Sequence, residues 1–196
     1  MRKRFGIDID GTVTCPSALI PFINEEFGLN LTLDDIIEYD LNKVVNVSDE
    51  EFSKWFIEKE PLMYEKSPLA KGAEKILNKW KEEHDLFFIS ARGPELLENT
   101  KTWFKKNGLY YHHIELIGSH DKVASAKYHN VDIFLEDKHD NAVMIHEECN
   151  IPVLLFNTPY NQDPIPNGVI RVNNWYEAND WVKNWLEKSK KSMALL

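Results

Sequence analysis

The feature that most constrains this chain is the change of hydrophobic period that recurs from about residue 71 onward. "KGAEKILNKWKEEH" spaces Ala73, Ile76, Leu77 and Trp80 along one helical face, and "DLFFIS" follows as a short, continuous apolar run. "GPELLENTKTWFKKNG" returns to helical spacing, with Pro94 at its start, Gly108 at its stop and Trp103 and Phe104 on the buried stripe. Next come a strand ("IELIG"), a short helix ("KVASAKYHN"), a strand ("VDIFLE") and a helix ("DNAVMIHEEC"). "PVLLF" and the weaker "GVIRV" read as strands, and "YEANDWVKNWLEKSKK" as a closing helix. Apolar runs of this length are strands covered on both faces, and their alternation with helices predicts an α/β fold with a parallel sheet.

Residues 16 to 69 follow a different pattern, with helix starts and no convincing strand. Thr32 in "TLDD" and Ser48 in "SDEE" both open a capping-box pattern, and Phe52, Trp55 and Phe56 form an apolar stripe after the second. A connection that long is usually functional. The expected organisation is a core from residues 1–15 and 70–196, with an all-helical cap at 16–69 inserted after the first strand. With 196 residues, 43% of them hydrophobic, the chain suffices for one core and falls short of two full domains.

A net charge of -9 leaves no basic stripe for nucleic acid. It does not exclude an anionic small substrate, because a metal or a few local cations can reverse the potential inside a cleft. Two distant cysteines, Cys15 and Cys149, read as reduced thiols, and no apolar stretch approaches the length of a membrane span. A soluble cytoplasmic protein, with no nucleic-acid or membrane partner, is the expectation. The oligomeric state is open, a homodimer included.

Ligands of an open parallel sheet sit beyond the carboxyl ends of its strands. Here each of the first four core strands is followed by reactive groups: Asp8 and Asp10, then Ser90, then Lys122, then Glu136 with Asp137. One sheet edge would gather them into one cleft. Acidic groups from two sides suit Mg2+, a lysine offsets phosphate charge, and a carboxylate can act as nucleophile, so the cluster suits phosphoryl transfer.

"DIDGT", "ISAR", Lys122 and "LEDKHDN" resemble, in order, the four motifs of the haloacid dehalogenase superfamily of Mg2+-dependent phosphohydrolases. The resemblance implies a Rossmann-like three-layer core and a helical type-1 cap. It implies Asp8 as nucleophile and Asp10 as general acid and base, with Mg2+ held by Asp8, the Asp10 backbone carbonyl and Asp137. Gly11, Thr12, Ser90, Ala91 and Lys122 would bind the phosphoryl group, Lys122 also fixing the nucleophile. Glu136, Asp140 and Asn141 would support or replace a metal ligand.

"GIDIDGTVT" with a small cap, "ISAR" and "FNTPYN" is similar to bacterial relatives of the cytosolic 5'(3')-deoxyribonucleotidases. That implies a nucleoside monophosphate as the partner, its base stacked on a cap aromatic from among Tyr39, Trp55, Phe56 and Tyr64. Two departures touch specificity. Ser-Ala-Arg stands where the eukaryotic enzymes have Thr-Ser-Pro, and Glu136 where they have an aspartate. A sugar phosphate substrate, or a non-catalytic module on the same fold, are the competing readings.

Plainer roles exist for several of these residues. Ser90 has the form of an N-cap for the following helix, Arg92 that of a loop residue or ion-pair partner. Most cap aromatics serve as the cap's own small core, and Pro159, Tyr160 and Asn161 read as a turn. The seven histidines, His112, His113 and His139 among them, show no metal-binding spacing, so no zinc site is expected.

Overall fold

The computed structural model describes residues 2–193. Its single sheet has six parallel strands in the order β3-β2-β1-β4-β5-β6. These are β1 (Arg4–Ile7), β2 (Asp85–Ser90), β3 (His113–Leu116), β4 (Ile133–Glu136), β5 (Val153–Phe156) and β6 (Val169–Val172). The order reverses between β1 and its neighbours β2 and β4, which places a crevice beyond the carboxyl end of β1.

Helices cover both faces because every central strand is apolar on both. On one side, α4 (Ala73–Glu83), α5 (Leu97–Lys106) and α8 (Trp175–Met193) bury Trp80, Trp103, Phe104 and Trp175 against Phe5, Ile7, Phe88 and Leu135. On the other, α6 (Val123–Tyr128) and α7 (His139–Cys149) pack Ala126, Ala142 and Ile145 against Ile89, Phe134 and Leu155. Three layers result. The helix expected from Pro94 is split, with a 3-10 turn at Pro94–Leu96 before α5, and β3 begins at His113. No described helix is long and apolar enough to cross a membrane.

Between β1 and α4 lie α1 (Ile20–Phe27), a 3-10 turn (Leu33–Asp35), α2 (Leu41–Val45) and α3 (Asp49–Lys66). Ser48 caps α3 by accepting from the Glu51 N–H at 3.2 Å. The Thr32 pattern opens only the 3-10 turn, where the Asp35 carboxylate accepts from the Thr32 N–H at 2.8 Å. These helices share their own core of Ile23, Val45, Trp55 and Met63. Their entry and exit run side by side: the Cys15 N–H donates to Pro68 O and the Ala70 N–H to Val13 O, both at 2.8 Å. Paired linkers of this kind tether the helical segment directly above the end of β1.

Candidate active site

β1 runs out at Ile7, and the Asp8 N–H makes one more ladder bond, to Leu135 O at 2.9 Å. The chain then turns sharply. Ile9 O accepts from both Val13 and Thr14 at 2.9 Å, and Gly11 takes φ +79°. A side chain at Gly11 would collide with the Asp137 carboxylate, so glycine is needed here for closeness as well as for conformation.

The four strand-end clusters converge. The Lys122 ammonium, buried at the start of α6, donates to Asp8 Oδ1 and to both Glu136 oxygens, at 3.1 and 3.2 Å. Carboxylate oxygens of Asp8, Glu136 and Asp137 all lie within 4.8 Å of one another. Burial, with Glu136, Asp137 and Asp10 close by, holds the Asp8 carboxyl well above its ordinary value, against the pull of Lys122. Burial also pushes Asp137 up to about 7, helped by the Glu136 charge and opposed by the Tyr160 hydroxyl. Burial disfavours the Lys122 charge, yet Asp8 and Glu136 outweigh it and raise its pKa. Three buried carboxylates against one ammonium is an arrangement short of positive charge.

Beside this cluster opens a cavity of about 520 Å³, lined by Asp8, Asp10, Ser90 and Lys122 from the strand ends and by Tyr39, Phe56 and Tyr64 from the helical segment. Gly11, Ala91, Asp137 and Tyr160 also line it. Tyr39 packs edge-on to both His120 and Tyr160, with the Lys138 ammonium 4.3 Å from its ring centre.

Several expected residues sit elsewhere. Trp55 is buried in the helical segment, edge-on to Phe27, and lines no part of the cavity. Its apolar ring is the better use of space in so small a core. Thr12 is fully buried and off the cavity, its carbonyl accepting from Trp175 Nε1 at 3.0 Å. Asp140 is turned to solvent, its side chain 80% exposed and paired with His139. Asn141 faces inward and donates to Glu136 Oε1 at 2.5 Å. Ser90 does not cap a helix; its hydroxyl accepts from the Arg92 N–H at 3.2 Å and closes a local turn.

Three further contributors lie outside the expected site set, and one of them, Arg92, is the ion-pair partner its sequence position allowed. Arg92 makes a two-pronged pair with Asp10, Nε to Oδ2 at 2.8 Å and Nη2 to Oδ1 at 2.7 Å. The Tyr160 hydroxyl donates to Asp137 Oδ2 at 2.6 Å. Asn161, fully buried, donates to Asp137 O at 2.6 Å and to Phe156 O at 2.7 Å, tying β5 to the end of β4. The available signal for Tyr160 and Asn161 was their place just after a fifth parallel strand.

The sequence matches, over residues 2–188, the family described as "5' nucleotidase, deoxy (Pyrimidine), cytosolic type C protein". It is 50% identical over 188 residues to the "Putative nucleotidase BH1399" of Halalkalibacterium halodurans, covering 96% of each chain. It is 48% identical to the "Putative nucleotidase YqfW" of Bacillus subtilis, covering 92% of this chain and 94% of that one. A haloacid dehalogenase-like hydrolase from Streptococcus pneumoniae superposes with a TM-score of 0.66 at 12% identity, over 94% of this chain and 98% of that one. The magnesium-bound hydrolase YfnB of Bacillus subtilis gives 0.63 at 13% identity, over 93% and 100%. At those identities the structural likeness establishes the fold, and the sequence match establishes the family: the chain belongs to the cytosolic type C 5'-nucleotidases, built on the haloacid dehalogenase fold.

Proposed function

We propose that this chain is a Mg2+-dependent phosphomonoesterase acting on (deoxy)nucleoside monophosphates, with residues 16–69 as its cap. The observation that carries this reading is one cavity shared by the strand-end carboxylates with Lys122 and by the aromatic rings of Tyr39, Phe56 and Tyr64. The charged groups suit a phosphate and the rings a flat base. The names of the relatives at 50% and 48% identity support the same class.

The donor set fits the metal. The three converging side chains offer only hard oxygen atoms, which is the preference of Mg2+, and their charge exceeds that of Lys122. Glu136 already accepts from Lys122, Asn141 and the Asp137 N–H, whereas Asp137 accepts only on Oδ2 among the described contacts of its side chain. Asp8 and Asp137 would therefore hold the ion, joined by the Asp10 carbonyl as the family resemblance implies, with Glu136 positioning Lys122. When bound, the ion would offset the charge of the phosphate and polarise its oxygens.

Asp8 then attacks phosphorus. An acyl phosphate forms as the ester P–O bond breaks; Asp10, which must first leave the Arg92 fork and take up a proton, gives that proton to the departing alkoxide. Asp10, now a carboxylate, takes a proton from the water that attacks the same phosphorus, and inorganic phosphate leaves as Asp8 is regenerated. Lys122 holds Asp8 in place and, with the bound ion, would favour its ionised form, while Ser90 and the Gly11 turn hold the phosphoryl oxygens.

The test is phosphate release from a panel of nucleoside monophosphates and sugar phosphates with Mg2+. Nucleotides should be preferred, chelator should abolish turnover, and Asp8→Asn should lose more than about 10³-fold in kcat. Wild-type turnover by Asp8→Asn would overturn the covalent scheme, and indifference to nucleotides would overturn the substrate class.

A further inference from the structure

A second group of metal-ligating side chains lies on the far side of β2 from β1, at the edge of the sheet. Ile114 and Leu116 of β3 face the layer of α4 and α5, so His113 and Glu115 face the opposite side, level with Phe87 and Ile89 of β2. His129, just past the end of α6, reaches the same place, with its ring centre 4.5 Å from that of His113. His129 Nε2 stands 3.0 Å from Glu115 Oε2, and one ligand atom from each of the three residues lies within 4.8 Å of the others.

We infer that His113, Glu115 and His129 form a second metal site, taken by a borderline transition ion of the Zn2+ type. Two imidazoles and a carboxylate are the donors such ions select, whereas Mg2+ prefers oxygen alone. Tetrahedral zinc with bonds of about 2.0–2.2 Å needs ligand atoms roughly 3.4 Å apart, and the three ligand atoms here already lie within 4.8 Å of one another. The His113 imidazole is partly buried against the His129 ring. No hydrogen bond of the described residues occupies its ring nitrogens. The His129 and Glu115 side chains are 12% and 35% exposed, and the three residues line a separate cavity of about 330 Å³, so an ion can enter and keep a water as fourth ligand.

The consequence is mechanical. α6 has only six residues, too short to be stable by itself, and Lys122 sits at its start. An ion joining β3 to the far end of α6 clamps the helix that presents this lysine. The inference stands apart from the hydrolase reading, since none of its three ligands has a role there.

Co2+ titration in excess Mg2+ tests it, because cobalt in a tetrahedral nitrogen-containing site absorbs visible light far more strongly than in an octahedral oxygen site. One equivalent of Co2+ should develop these bands, Zn2+ should abolish them, and Zn2+ should raise the melting temperature. His113→Asn and the nearly isosteric Glu115→Gln should lose both effects while keeping wild-type phosphate release in Mg2+. Only weak octahedral absorption in the wild type, or bands unchanged in both variants, would show that Glu115 and His129 are a plain ion pair.

Discussion

The Arg92 guanidinium grips both oxygens of Asp10, and the two partners differ in exposure: the Arg92 side chain is fully buried, that of Asp10 33% exposed. Thr100 Oγ1 takes a third bond at 3.0 Å, and the Tyr64 ring lies 3.8 Å from the guanidinium carbon. Arg92 thus connects the group proposed as general acid to the last turn of α3 in the helical segment.

That asymmetry predicts unequal costs. Asp10→Ala strands a buried cation and should destabilise by about 3–5 kcal/mol. Arg92→Met leaves a carboxylate that water can reach and should cost about 1–2 kcal/mol, with kcat down about tenfold from the loss of orientation. Arg92→Lys should not restore the rate, because an ammonium cannot form the fork. Denaturant melts and steady-state kinetics check both, and equal destabilisation by the two truncations would contradict the burial argument.

A second expectation concerns pH. Asp137 is raised to about 7 without metal, so below that pH a proton competes with Mg2+ for the same oxygen. Half-saturating Mg2+ should therefore fall as pH rises from 6 to 8. Tyr160 lowers the Asp137 pKa, so Tyr160→Phe should move the transition upward, and Asp137→Asn should abolish it. Mg2+ titrations of activity at several pH values read this directly.

The aromatic residues of the helical segment should divide by position. Phe56 lines the cavity, so Phe56→Ala should raise KM about five- to tenfold with kcat largely kept. Trp55 is core, and Trp55→Ala should cost about 3–5 kcal/mol with no selective change in KM. Trp55→Phe should be milder, since the buried indole N–H has no partner to lose.

Gly11→Ala should fail twice over, through its positive φ and through collision with Asp137. A loss of about 1–3 kcal/mol in stability is expected, with Mg2+ affinity impaired as well. A variant with normal Mg2+ dependence would mean that the turn and the end of β4 relax apart freely.

What the sequence by itself determined is everything carried by local periodicity. The apolar runs "DLFFIS" and "PVLLF" had to be buried strands, the Trp80 and Trp103 stripes had to be helix faces, and strand ends had to place Asp8, Ser90, Lys122 and Asp137 at one rim. It could not decide which side chains meet there. Arg92 closes on Asp10 across 82 positions, Tyr160 on Asp137 across 23, and His129 on Glu115 across 14. Such pairings follow from strand order, crossover and rotamer, which leave no periodic trace in the chain. The same holds for the burial of Trp55 in an apolar core and of Thr12 beside Trp175, since burial of a given ring or hydroxyl is settled by the neighbours that the fold delivers.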